Sequence, residues 1–241
     1  MVIPLYDENP FKFRAPPYVT WALIAMNVTI FALTYAAAAS SPIGVFASML
    51  AFTPSPSAPD AEVAAQTLPW VVTLVTYMFL HANFVHLIGN MLFLWVFGDD
   101  IELALGHLRF LGFYLLCGVA GGLGHYVSGP ASHVPLIGAS GAVAGIIAAY
   151  LMLRPCQKVW VLLFARLPVR ISAYWALGFW VVMQVVNIVA DPQGDISWSA
   201  HIGGVLAGAL LVIVLRRPGV KLFDCPPALE PVASDPGSAA R

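Results

Sequence analysis

Long apolar stretches broken by short clusters of charge constrain this chain more than any single residue does. About 20 consecutive apolar residues in a helix cross the ~30 Å hydrocarbon core of a bilayer. Several such stretches fall within 241 residues, of which 60% are hydrophobic and 10% charged, where a soluble domain carries nearer ~25% charged residues. An integral, all-α polytopic membrane protein is therefore predicted, with little chain left for a separate soluble domain. The net charge of -1 gives no reason to expect a nucleic-acid partner, and the lipid bilayer is the expected surrounding. Cys117 lies in an apolar stretch, Cys156 beside a basic loop and Cys225 in the tail. These three are neither even in number nor regularly spaced, so no disulfide framework is expected.

Six spans are predicted. The first runs from about Tyr18 to Ala39, opened by Pro16 and Pro17; it lacks an A-x-A-like cleavage site and reads as a retained anchor. Residues 1–17 are then a short arm. A Pro/Ser/Ala loop leads into "LPWVVTLVTYMFLH", whose aromatic and apolar character suits a segment lying in the interface. The remaining spans are expected near Asn83–Gly98, Phe110–Val127, Ser140–Leu153, Ile171–Ala190 and Ser199–Leu215. Residues 18–216 form one six-span unit, and the Pro/Ala/Ser-rich residues 217–241 read as a disordered tail. With this count all 11 Lys and Arg fall on one side, and the opposite loops carry only Asp60, Glu62, Asp191 and Asp195. The positive-inside rule makes the basic side, with both termini, cytoplasmic. A bacterial inner membrane is the expected location.

The fourth span is short. From Ser140 to Leu153 the helical rise is ~20 Å, well under the thickness of the bilayer core. Counted back from the same side, His201 stands ~21 Å above Leu215 and His86 ~18 Å above Gly98. A serine and two histidines therefore share one depth, and His86 and Asn90, four residues apart, share a helix face. The preceding "VSGPASHVPLIG" is too broken by Gly and Pro to be helical. Irregular backbone at such depth must be buried in protein or line a wet cavity, so an aqueous pocket is expected. Ser140 at a helix N-terminus has unpaired N–H groups beside it that favour an oxyanion, and His201 is of the type that serves a serine nucleophile as general base.

Each feature alone has a plainer reading. The glycines of "GASGA", and Gly204 and Gly208 after His201, suit close helix packing, and a lone intramembrane histidine is commonly an interhelical hydrogen-bonding residue. Packing does not explain why the fourth span stops level with two histidines. No HExxH motif is present, and His81 and His86, five apart, do not share a helix face, so no metal or other cofactor is expected. Position 142 is Ala, so the G-x-S-x-G elbow is not matched. His107 and His133 read as solvated, and Gln184 and Asn187 as interhelical hydrogen-bond donors.

Together, "HANFVHLIGNMLFLWVFGDDIE", "GASGA" and "AHIGGVLAG" resemble, in this order, three motifs of the rhomboid family of intramembrane serine proteases. The resemblance covers about residues 70–215. It implies a bundle of six helices with a short fourth helix, Ser140 as nucleophile, His201 as base, and His86 with Asn90 as oxyanion-stabilising side chains. His81, Gly138, Gly141, Glu102, Gly204 and Gly208 match supporting positions. It further implies a serine endopeptidase acting on transmembrane segments of other proteins, with the fifth span as a lateral gate. Two departures stand out. The region "VVTLVTYMF" lacks the arginine that many relatives carry in the first external loop, and position 144 is Ala where some relatives place an aromatic beneath the histidine. No acidic residue is placed to complete a triad. A catalytically silent relative that binds membrane clients as chaperone or adaptor is the alternative, and a small transporter would need an internal repeat. Nothing in the sequence predicts the oligomeric state.

Overall fold

The computed structural model describes residues 2–8, 16–35, 37, 41–55, 68–163, 166–191, 194 and 196–225. The first span is helix α1 (Tyr18–Tyr35), entered through Pro16 and Pro17. Its first-turn N–H groups, which have no partner within the helix, are taken by a carboxylate from far along the chain: Val19 N and Thr20 N donate to Glu102 at 2.9 and 2.8 Å. A short helix α2 (Pro42–Leu50) follows, capped by the Ser41 hydroxyl. Helix α3 (Trp70–Thr76) then tightens into a 3-10 turn over Tyr77–Phe79. This segment is apolar and too short to cross.

The bundle proper comprises α4 (Phe84–Leu105), α5 (His107–Ser128), α6 (Ser140–Leu153), α7 (Ala173–Ala190) and α8 (Trp198–Leu215). With α1, five helices are long and apolar enough to cross a membrane, and α6 is the short one. Every residue of α6 from Gly141 to Tyr150 is buried. A helix apolar all round belongs in the centre of a bundle, and α6 is packed there between α5 and α8. The approach is close because the contacts are glycines. A Cβ on Gly204 would collide with the carbonyl of Gly141, and one on Gly208 with that of Gly145. A Cβ on Gly203 would collide with the Ala120 carbonyl of α5. The packing role read from these glycines is real, and it brings three backbones into contact at the level of Ser140.

Several expectations need correction. Helix α4 continues past Gly98 to Leu105, through Asp99, Asp100 and Glu102. The carboxylate of Glu102 does not end the helix because Val19, Thr20 and His107 satisfy it. His107 is accordingly no free solvated residue, since its Nδ1 lies 2.5 Å from Glu102 Oε1. The fold is not purely α either. The arm, expected as a short tail, supplies β1 (Val2–Asp7), and the basic loop forms a hairpin of β2 (Lys158–Leu163) and β3 (Leu167–Ser172). These make an antiparallel sheet in the order β1-β2-β3, with Val2 opposite Leu163 and Lys158 opposite Ser172. Val159 and Val161 face the bundle, and Tyr150 of α6 donates a 2.9 Å hydrogen bond to Asp7. Strand β3 takes Ile171 and Ser172, which delays the start of α7.

Of the tail expected to be disordered, residues 217–225 are docked: Arg217 N donates to Ala104 O at 2.9 Å and Asp224 N to Leu153 O at 3.2 Å. Residues 226–241 lie outside the described residues. Cys156 and Cys225 form a disulfide with their Cα atoms 5.2 Å apart, a pairing that spacing along the chain did not reveal. The loop ends and the tail that carry Arg109, Arg154, Arg216 and Arg217 meet at one end of the bundle, where Arg154 pairs with Asp224 at 3.0 Å.

Candidate active site

Ser140 is the first residue of α6, and no side chain caps that N-terminus. The first intrahelical bond there is Val143 N to Ala139 O. N–H groups ahead of it have no helical acceptor and lie beside the serine, at the positive end of the helix dipole. The segment leading in is irregular, as expected, but its backbone is paired with protein. Phe52 and Leu136 exchange two backbone bonds, of 3.1 and 2.7 Å, and Gly138 N donates to Tyr77 O at 2.9 Å. The first loop and α3 therefore hold the approach to Ser140. Their own anchoring, left open by the missing arginine, is aromatic and backbone-based. Phe52 packs on Trp70, Trp70 on Tyr126, and Thr76 Oγ1 donates to Leu50 O at 2.7 Å.

Gly138 has φ +115°, in the region that favours glycine, and a Cβ there would fall 2.5 Å from His86 Nε2. The imidazole of His86 thus lies directly against the turn that delivers Ser140. His86 sits in the first turn of α4, whose N-cap Asn83 accepts from His86 N at 2.9 Å. His81 packs edge-on against His86 with ring centroids 5.1 Å apart, which is a structural support for that ring. Asn90 is buried on the same helix and donates one amide hydrogen to His86 O at 3.0 Å. The amide carries a second hydrogen.

His201 is in the first turn of α8, one residue after Ala200, whose carbonyl lies beside Gly121 and Gly141. Ser140 and His201 are therefore the immediate chain neighbours of residues that touch where α6 and α8 cross. The ring is buried and held on three sides: Trp180 stacks obliquely at 5.8 Å, Trp198 meets it edge-on at 5.9 Å, and Nδ1 lies 2.7 Å from Gln184 Oε1. The imidazole is thus oriented by Trp180 and Gln184 of α7 together with Trp198 of its own helix, and the contribution of α7 is not legible in the sequence. Gln184, expected as an interhelical donor, is instead the acceptor toward His201, and its amide donates within α7 to Trp180 O. The remaining supporting residues divide cleanly. Gly138, Gly141, Gly204 and Gly208 belong to the cluster or its helix crossing, whereas Glu102 stands at the far end and caps α1. An open depression of about 400 Å³ between Gly106, Arg109, Arg217 and Pro218 is also at that far end and has no part in the cluster. Among the described residues no group of three His, Cys, Asp or Glu side chains converges as a metal site would require.

A bundle of apolar helices that gathers half-buried Ser140 and His86 with buried His201 and Asn90 around one helix N-terminus defines an integral multi-pass membrane protein with a polar centre. The rhomboid domain model matches residues 69–218, well over half of the chain, and the chain belongs to the rhomboid family. It is similar to the rhomboid protease GluP of Bacillus subtilis, with 29% identity over 209 residues, covering 86% of this chain and 36% of that protein. It is also similar to the mitochondrial RHOMBOID-like protein 12 of Arabidopsis thaliana, at 28% over 162 residues, covering 60% and 46%. The mitochondrial Rhomboid protein 1 of Saccharomyces cerevisiae is 30% identical over 143 residues, covering 58% and 40%. The chain spans less than half the length of each of these three relatives.

Proposed function

We propose that this chain is an intramembrane serine endopeptidase with a Ser140/His201 dyad, which cuts a peptide bond in or near a transmembrane segment of another protein. The observation that carries the reading is the crossing of α6 and α8, where glycine contacts bring the neighbours of Ser140 and His201 together beside an uncapped helix N-terminus. Ser140 Oγ attacks the scissile carbonyl carbon while His201 takes its proton. The oxyanion forms at the α6 N–H groups, with His86 and the second amide hydrogen of Asn90 as side-chain donors. Collapse breaks the C–N bond, and His201 returns the proton to the leaving amine. Water then attacks the acyl ester, gives its proton to His201, and Ser140 is released as that proton passes back to its oxygen. Exposed apolar side chains on these helices, Ile88 of α4 and Val182 and Val185 of α7 among them, support a lipid-borne substrate. Clustering of basic residues supports a cytoplasmic placement of the sheet end and the docked tail, in a bacterial inner membrane.

A fluorophosphonate probe on the detergent-solubilised protein tests the dyad, because an unassisted serine hydroxyl reacts poorly. Labelling is expected at Ser140, lost in Ser140→Ala and suppressed in His201→Ala, with cleavage of a reporter transmembrane segment lost in both. Wild-type protein that neither labels nor cleaves, yet retains membrane clients, would make the chain an adaptor instead.

A further inference from the structure

Helix α7 is lightly embedded: beyond Ala173, Ala176 and Leu177 in its first turns, its only buried side chain is Gln184. That side chain makes two hydrogen bonds. Its Nε2 donates to the Trp180 carbonyl one turn back at 2.8 Å, and its Oε1 faces His201 Nδ1 at 2.7 Å. The first bond decides the second. A carbonyl only accepts, so the amide nitrogen must face Trp180 and the amide oxygen must face the imidazole. An amide oxygen also only accepts, so the hydrogen of a neutral His201 ring sits on Nδ1, and Nε2 keeps its lone pair. Trp180, on the same helix, covers the ring face at 5.8 Å. One side of α7 thus supplies both the hydrogen-bond acceptor and a packing wall for the imidazole.

We propose that Gln184 is a positioning residue that fixes the tautomer and orientation of His201, so that the base is ready only while α7 is seated against α8. This rests on the reading of His201 as general base. An uncharged amide orients the ring without adding a negative charge to the apolar interior, the role a buried carboxylate takes in a serine-protease triad. The titratable group that acts on His201 from another helix is His86 of α4, while α7 and α8 present only the uncharged Gln184, Trp180 and Trp198.

The test compares Gln184→Leu and Gln184→Glu with wild type in fluorophosphonate labelling rate across pH, and measures reporter binding in a Ser140→Ala background. Leu removes the acceptor at similar volume, and labelling should slow by at least about tenfold with reporter binding unchanged. Glu restores an acceptor and adds charge, so labelling should recover at alkaline pH while its acid limb moves to higher pH. A Leu variant that labels at the wild-type rate, or a Glu variant whose acid limb does not move, overturns the proposal. Should the Glu variant fail to insert, ¹⁵N histidine spectra decide: wild-type His201 should carry its hydrogen on Nδ1 and lose that preference in Gln184→Leu. A wild-type ring protonated on Nε2 alone overturns it. An unlabelled wild type would instead refute the protease reading, and the tautomer measurement would still judge Gln184.

Discussion

The Nε2 of His86 occupies the space beside Gly138 where a side chain would begin, 2.5 Å from the position of a Cβ. Gly138 also holds φ +115°, so an alanine there is strained twice, by its backbone and by the imidazole. Such strained backbone costs on the order of 1–3 kcal/mol. Gly138→Ala should reduce fluorophosphonate labelling by about a hundredfold, in the range of a lost oxyanion donor, while the protein still inserts. Labelling at the wild-type rate would mean that the turn and His86 do not act on Ser140.

Glu102, 1% exposed, accepts from Val19 N, Thr20 N and Thr20 Oγ1. Glu102→Ala leaves buried first-turn donors of α1 without a partner, at a cost of about 1–3 kcal/mol for each unsatisfied group. A clear fall in the thermal unfolding midpoint is expected. Residual folded protein should label at Ser140 near the wild-type rate, since Glu102 stands at the opposite end of the bundle from Ser140. A variant with unchanged stability but no labelling would assign Glu102 a catalytic role.

Outside the spans, Arg170 hydrogen-bonds Glu8 at 2.6 Å and holds its carboxyl below the usual value of 4.5. A depressed carboxyl contributes stability that is complete above its unfolded value and is lost as pH falls through its folded value. Protection of the β1 amides against hydrogen exchange, corrected for intrinsic rates, should therefore drop on acidification below about pH 4. Glu8→Gln should flatten that dependence. The change is small because the pair is largely solvated. Acid sensitivity unchanged in Glu8→Gln would place its origin elsewhere.

The Cys156–Cys225 pair tests orientation independently of charge. If the basic end faces the cytoplasm, cellular reductants should open this bridge, and rapid alkylation of intact cells before lysis should modify both thiols. Mild oxidation of the purified protein should then form the bridge without loss of labelling at Ser140. A pair already fully oxidised in freshly alkylated cells would put this end outside and reverse the topology. The tail's other anchors, Arg154 to Asp224 and Phe223 N to Met152 O, should keep it docked in Cys225→Ser.

Much of the fold was legible because hydropathy is a property of the chain taken locally. The starts of α1 and α6, the ends of α7 and α8, and the short apolar α3 follow from runs of apolar residues and from Pro, Gly and Arg at their limits. The helical rise then sufficed to level Ser140, His86 and His201 before any contact was known. Charge alone ended α4 too early, because Glu102 finds its partners 82 and 83 residues away. Strand β1 could not be read from the arm, whose pairing partner lies more than 150 residues along the chain. The disulfide likewise joins residues 69 apart. Gln184 shows the reason most directly. Helix α7 offers two polar amide side chains, Gln184 and Asn187, and its sequence does not say which of them meets a neighbouring helix. Only the packing of Trp180 and Gln184 of α7 against His201 of α8 decides that this amide points at the imidazole. The sequence determined which segments cross, how deep the polar residues lie and which chemistry they are capable of; tertiary structure decided which side chains meet, because a hydrogen bond depends on helix rotation and crossing that local hydropathy does not encode.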